Sequence, residues 1–265
     1  MRAFEWITTA VLAFFVAGYA SSETPSAEAR RELAPGGKLR VAFLGTAPIH
    51  AIKDAATGEL KGPAVDLGRE IARRIGVPFE PVAYSSLAPL LAGAAAGEWD
   101  IGMMGVSSER ARAVDFSPPY MVVEFSYLVP SGSSIATLAD VDRPGIRVAV
   151  LEKSSPEAHL SRTLRNAALV RFPTLAETVQ SLQLGKADAA YATRASMISQ
   201  SARLTNSRVL EGNSGGEETA IAVPKGRPLA TAYVRQFVSA VKAEGQVGAA
   251  IEKAGLRGVI VAPPH

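Results

Sequence analysis

The chain contains no cysteine. Disulfide bridges, thiolate metal ligands and thiol nucleophiles are therefore excluded. Histidine is scarce as well: His50, His159 and His265 stand far apart and share no ligand spacing, so no metal site is expected. No cofactor-binding motif stands out either, and none is expected to be needed. An excess of one charge is missing too. Lysine and arginine total 28, aspartate and glutamate 25, a net charge of +3 over 265 residues. The basic residues in ARRELAPGGKLR and REIARRIG have acids between them, with no stripe of interleaved aromatics. Nucleic acid is thus not an expected partner.

Long apolar runs are missing except near the start. MRAFEWITTAVLAFFVAGYA carries Arg2, then an apolar stretch from about Ile7 to Ala20. That is short for a membrane span of roughly 20 apolar residues. Gly18 and Ala20 fit a small-x-small cleavage site. Residues 1–20 therefore read as a secretory signal peptide, with an uncleaved anchor as the alternative because Glu5 departs from the pattern. The mature protein is expected in the periplasm. Polar residues 21–36, with Pro and Gly, read as a flexible tether.

What the chain does have is 48% hydrophobic residues, enough for a sizeable core. Strand and helix patterns alternate from Lys38. KLRVAFLG, VPFEPVAY and WDIGMMG read as buried strands. Between them, VDLGREIARRIG and LAPLLAGAAAGE read as helices stopped by glycine. Such alternation implies an α/β fold with parallel strands covered on both faces. A second α/β set follows from GIRVAVLE to TRASMISQSAR. It is flanked by two similar apolar strands that break at Val-Pro, FSYLVPSG at 125–132 and TAIAVPKG at 219–226. Two readings stand: an inserted domain between paired crossover strands, or two ordinary strands of one sheet.

The stretch MMGVSSERARAVDFSPPY, residues 103–120, places Arg110 in a hydroxyl-rich turn just past a buried strand. It reads either as a solvated turn or as a cation awaiting an anion. LEKSSPEAHL places Ser154 and Ser155 ahead of a helix with Pro156 in its first turn. That is a capping pattern at a helix end that favours anions.

Together, GELKGPAVDLGREIARRIGVPFEPV, LAGAAAGEWDIGMMGVSSERARAVDFSPPY, DVDRPGIRVAVLEKSS and LQLGKADAAYA resemble the periplasmic solute-binding proteins of polar amino-acid ABC transporters, the family-3 type. The resemblance runs from about Lys38 to Gly255. It implies a type II periplasmic-binding-protein-like fold of two α/β lobes joined by two crossover strands. Lobe 1 is expected at 37–125 and 225–262 and lobe 2 at 126–224. The crossovers are expected at 125–130 and 219–224, and ligand in the cleft between lobes.

The resemblance also implies roles. Arg110 would fork onto the ligand's carboxylate, with Gly105 and Ser107 in the same turn, and Ser154 and Ser155 would meet that carboxylate from the other lobe. Lys153 stands where the family usually has glycine. Where amino-acid-binding members place an aspartate for the ligand's ammonium, this chain has Thr193, with Arg194 beside it. Either another acid takes over, Glu124 being the candidate, or the ligand has no ammonium and Arg194 meets a second anionic group. His50, in the loop after the first strand, is read as solvated. Phe116, Trp99 and Tyr120 are assigned to core or hinge.

The function implied is that of a monomeric binding component handing a small carboxylate-bearing solute to the membrane permease of an ABC importer. Two alternatives carry weight. One is a lyase like the cyclohexadienyl dehydratases, which are similar to these binding proteins, with Glu124 or Glu152 as general acid. The other is a sensor that docks on a receptor.

Overall fold

A computed structural model describes residues 25–45, 49–53 and 57–264. The expected signal peptide and the first residues of the tether lie outside this range. Along the chain run α1 (Ala27–Leu33), β1 (Leu39–Leu44), β2 (Ile52–Lys53), β3 (Leu60–Lys61), α2 (Pro63–Ile75), β4 (Phe79–Tyr84), α3 (Leu87–Ala96), β5 (Ile101–Gly105), β6 (Val114–Phe116) and β7 (Met121–Pro130). Then follow β8 (Arg147–Leu151), α4 (Ser155–Thr163), β9 (Ala168–Phe172), α5 (Leu175–Gln183), β10 (Ala189–Thr193), α6 (Arg194–Arg203), β11 (Ser207–Val209), β12 (Gly216–Pro224), α7 (Pro228–Ala243), α8 (Gln246–Lys253) and β13 (Val259–Val261).

The strand order β4-β1-β5-β12-β7-β10-β8-β9 contains the same motif twice. β1 pairs in parallel with β4 on one side and β5 on the other; β8 pairs likewise with β9 and β10. Each set surrounds its own apolar clusters. One centres on Val41, Phe43, Ile101, Ile221 and Val234, the other on Phe125, Val148, Val150, Leu160 and Tyr191. This is the α/β fold that the alternating pattern implied, in the two lobes that the family resemblance implied. Trp99 and Tyr120 are fully buried, as expected.

A repeated polar lock accompanies the repeated topology. In the first lobe Asp100, which follows Gly97 by three, accepts bonds from the Arg40 amide (3.0 Å), Nε (3.0 Å) and Nη2 (2.7 Å), while Arg40 Nη1 donates to Gly97 O at 2.7 Å. In the second, Asp188 accepts from the Arg147 amide (2.8 Å), Nε (3.0 Å) and Nη2 (2.9 Å), and Arg147 Nη1 reaches Gly185 O at 2.8 Å. Each Gly-x-x-Asp thus ties the start of its third strand to the start of its first, at the end of the sheet away from the loop after β5 and the turn after β8. A planar guanidinium with a carboxylate across its fork is well suited to this.

Two expectations need correcting. Residues 219–222 pair with β5 and 222–224 with β6, so all of 219–224 lies in the first lobe's sheet. The strand common to both lobes is β7: Met121–Glu124 pairs with β12, while Phe125–Leu128 pairs with β10. The chain therefore returns through 210–215, not through 219–224. Nor is the expected tether loose throughout. Ser26 caps α1, Ala29 and Leu33 are buried, and Glu32 accepts a bond from the Ala230 amide at the start of α7 (2.8 Å). An Ala- and Leu-bearing segment that can bury one face on α7 is more stable packed than solvated.

Candidate functional site

Between the two lobes lies a cleft of about 670 Å³. Its first-lobe wall is the loop after β5, with Ser107 and Arg110, and the start of β12, with Glu217; its second-lobe wall is the start of α4, with Ser154, Ser155 and His159. Phe125, where β7 passes from one lobe to the other, also lines it.

The β5 loop folds on itself to present Arg110. The Arg110 amide donates to Ser107 Oγ at 3.2 Å, closing a turn into a short 3₁₀ segment. The guanidinium bends back: Nη1 donates to Gly105 O at 2.5 Å and lies 3.3 Å from Glu217 Oε1. A Cβ at residue 105 would collide with the Glu217 carboxylate and come within 2.6 Å of Arg110 Nη1, so this close approach needs glycine. Arg110 and Glu217 are largely sheltered, at 18% and 26% exposure.

Across the cleft, Lys153 takes a left-handed conformation, φ 58°. This aims the next residues at the start of α4. Ser154 Oγ accepts from the Glu157 amide (3.2 Å) and donates to Leu151 O (2.6 Å). Glu157 returns to accept from the Lys153 amide at 2.6 Å, and Arg171 Nε binds its other oxygen at 2.6 Å. The Arg171 guanidinium, then the Lys153 amide, hold the Glu157 carboxyl below its ordinary range. Ser154 is therefore committed to the cap, and Ser155 is the hydroxyl of the pair that carries no bond among the described residues.

His159 extends the second wall. Its ring packs edge-on to Phe125 (centroids 5.7 Å apart) and stacks at 6.1 Å on Tyr191. Burial, then Arg162, lowers its pKa. Gly215, φ 107°, abuts the ring so closely that a Cβ would collide with it.

The structure thus gathers Arg110, Ser107, Ser154 and Ser155 at one cleft with Gly105 directly behind. Thr193, Arg194 and Glu124 do not line it. Thr193 Oγ1 accepts from the Ser196 amide at 3.3 Å and donates to Ser196 Oγ at 2.7 Å, capping α6. Arg194 donates to Leu210 O (3.5 Å) and Gly212 O (3.3 Å) and pairs with Glu211 (3.1 Å), so it clamps the returning linker. Glu124 is half-buried next to β13, its amide donating to Gly258 O at 2.8 Å. Glu152, the other acid considered for a lyase, does not line the cleft either.

His50 is not the solvated residue expected. It is 3% exposed, its Nδ1 has no partner among the described residues, and burial followed by the Arg110 charge pushes its pKa down to about 4. Glu217 and His159 escaped the sequence reading. The Glu217-Glu218 pair at the head of an apolar strand was the available signal, but residue types alone do not say which face either acid takes.

Among the described residues no group of three or more His, Asp or Glu is placed to hold a metal, and no helix is long and apolar enough to cross a membrane. The profile of the family described as bacterial extracellular solute-binding proteins, family 3, matches residues 39–256. A glutamine-binding protein of a Bacillus subtilis ABC transporter is 24% identical over 205 residues, covering 75% of this chain and 74% of the relative. Among solved structures, an ancestral cationic amino acid solute-binding protein superposes with a TM-score of 0.64 at 26% identity, covering 84% of this chain and 98% of that one. A binding component of an ABC transporter from Wolinella succinogenes, complexed with lysine, superposes with a TM-score of 0.64 at 29% identity, covering 82% and 95%.

Proposed function

Because this chain belongs to the bacterial extracellular solute-binding proteins, family 3, we propose that it is the extracytoplasmic binding component of an ABC importer and that Arg110 grips a small carboxylate-bearing solute in the interlobe cleft. The solute is an amino acid or a related organic acid. The observation that carries the reading is Arg110 itself, sheltered in the cleft wall and opposite the start of α4. Relatives described as binding glutamine, lysine and cationic amino acids support the same class.

Charge-assisted bonds from a guanidinium to a carboxylate contribute roughly 1.5–3 kcal/mol each. Ser155 and the first-turn amides of α4 would add donors from the second lobe. A ligand that touches both lobes favours the closed arrangement, since only differential contact shifts such an equilibrium. Closure about β7 and the 210–215 return would then present a surface to a membrane permease. The protein acts in the periplasm, as a monomer, without metal or cofactor.

The test is a thermal-shift and calorimetric screen of amino acids and organic acids on the wild type and Arg110→Ala. The substitution is expected to abolish ligand binding while moving the unliganded melting temperature little. Unchanged binding, or a collapse of the unliganded protein, would make Arg110 structural.

A further inference from the structure

We propose that Glu217 is the cleft's cation subsite and selects a ligand whose positive group adjoins its carboxylate. This rests on the reading of Arg110 as the carboxylate anchor. Thr193 stands where the sequence resemblance implied an acid for the ammonium, and its hydroxyl is spent on capping α6. The cleft still holds an anion next to its cation.

The molecule supplies its own standard for an arginine that merely locks structure. At Arg40–Asp100 and Arg147–Asp188, the carboxylate lies across the fork, bonded to both Nε and Nη2 at 2.7–3.0 Å. Arg110 and Glu217 meet otherwise. Their single contact runs from Nη1 at 3.3 Å, and Nη1 is already taken by Gly105 O at 2.5 Å. Every bond described for the Arg110 guanidinium leaves from Nη1. The Nε–Nη2 edge is thus left for two ligand oxygens, while the Glu217 carboxylate stands on the Nη1 side of the same guanidinium. An anion-binding edge and a carboxylate on one guanidinium supply partners of opposite sign for the two ends of a zwitterionic head group.

The other acids of the cleft do not offer this. Glu157 is held by Arg171 and the Lys153 amide, and Glu109 and Glu218 are exposed. Glu217 is sheltered, and it sits on β12 opposite Val123 of β7, at the junction of the lobes. A solute with a carboxylate alone would bring its charge against Glu217 and be disfavoured, as like charges are.

The experiment titrates the twenty standard L-α-amino acids, and the matching 2-hydroxy acid of each one that binds, into the wild type, Glu217→Gln, Glu217→Asp and Arg110→Ala, by calorimetry. The wild type is expected to bind at least one amino acid and to prefer it over its hydroxy acid by about 10- to 100-fold, the span of one charge-assisted bond. Glu217→Gln should erase most of that preference, and Glu217→Asp should keep part of it. Three results would overturn the proposal. The preference could survive in Glu217→Gln; affinity for every carboxylate could rise alike, making Glu217 an internal competitor for Arg110; or no amino acid could bind. If Arg110→Ala binds like the wild type, the carboxylate anchor itself fails, whatever Glu217 does.

Discussion

Removing Asp100 should cost far more than removing Asp188, although the two residues hold the same position in the two lobes. Asp100 has no exposure and accepts three bonds from Arg40; Arg227 Nη1 also approaches it, at 3.4 Å. Asp100→Ala leaves two sheltered guanidinium groups, 23% and 21% exposed, and a backbone amide without their shared acceptor. Breaking a buried pair on one side costs about 3–5 kcal/mol, because the remaining charge stays desolvated. Asp188 is 32% exposed and Arg147 41%. Water can replace the carboxylate there, and Asp188→Ala should cost about 1–2 kcal/mol. With about 2–4 °C per kcal/mol for a chain of this size, the melting temperature should fall by about 10 °C and about 4 °C respectively. Urea titration followed by circular dichroism at pH 7 measures both. Equal losses, or a larger loss at Asp188, would refute the argument that burial sets the cost of an otherwise identical lock.

Further outcomes follow from the cleft. Gly105→Ala should place a methyl against the Glu217 carboxylate and Arg110 Nη1. Both are ends of side chains that can shift, so calorimetry should find affinity down about tenfold or more with little change in melting temperature; wild-type affinity would contradict the close approach. His50 stays neutral in the folded protein down to about pH 4, whereas unfolded chains protonate it near 6.5. Its folded pKa is the lower one, so the unfolded state binds the extra proton and stability falls as pH drops from about 6.5 to about 4. Melting temperatures across that window should fall less steeply in His50→Leu, and an unchanged slope would show that another group dominates there.

Much of this was legible in the residues. The Ser154–Pro156 cap and the placement of Arg110 beyond β5 depend on local chemistry that a short window contains, whereas the Gly97–Asp100 and Gly185–Asp188 repeats act only with arginines 60 and 41 positions earlier. The rest depends on pairing partners. TAIAVPKG is an equally good strand in either lobe, and only its ladder with β5 and β6 decides. The sequence reading places the acid for a ligand's ammonium at Glu124. In the β7–β12 register Glu124 faces Gly216 while Glu217 faces Val123, so a one-residue offset sends the two carboxylates to opposite faces of the sheet. His50 looked solvated because loop composition is polar on average, but its backbone carbonyl anchors the start of α2 by accepting from the Ala64 amide at 3.1 Å, which draws the ring inside. Helix α1 was hidden by a polar sequence whose two buried residues, Ala29 and Leu33, lie on a helix that packs against α7, more than 190 positions later.

The most direct test is a crystal structure with the tightest-binding solute from the screen. The solute's carboxylate should lie across Arg110 Nε and Nη2, between Ser107 and the Ser155 end of α4, with the lobes closed around it. A solute bound elsewhere, or one in the cleft that leaves Arg110 bonded only to Gly105 and Glu217, would contradict the account.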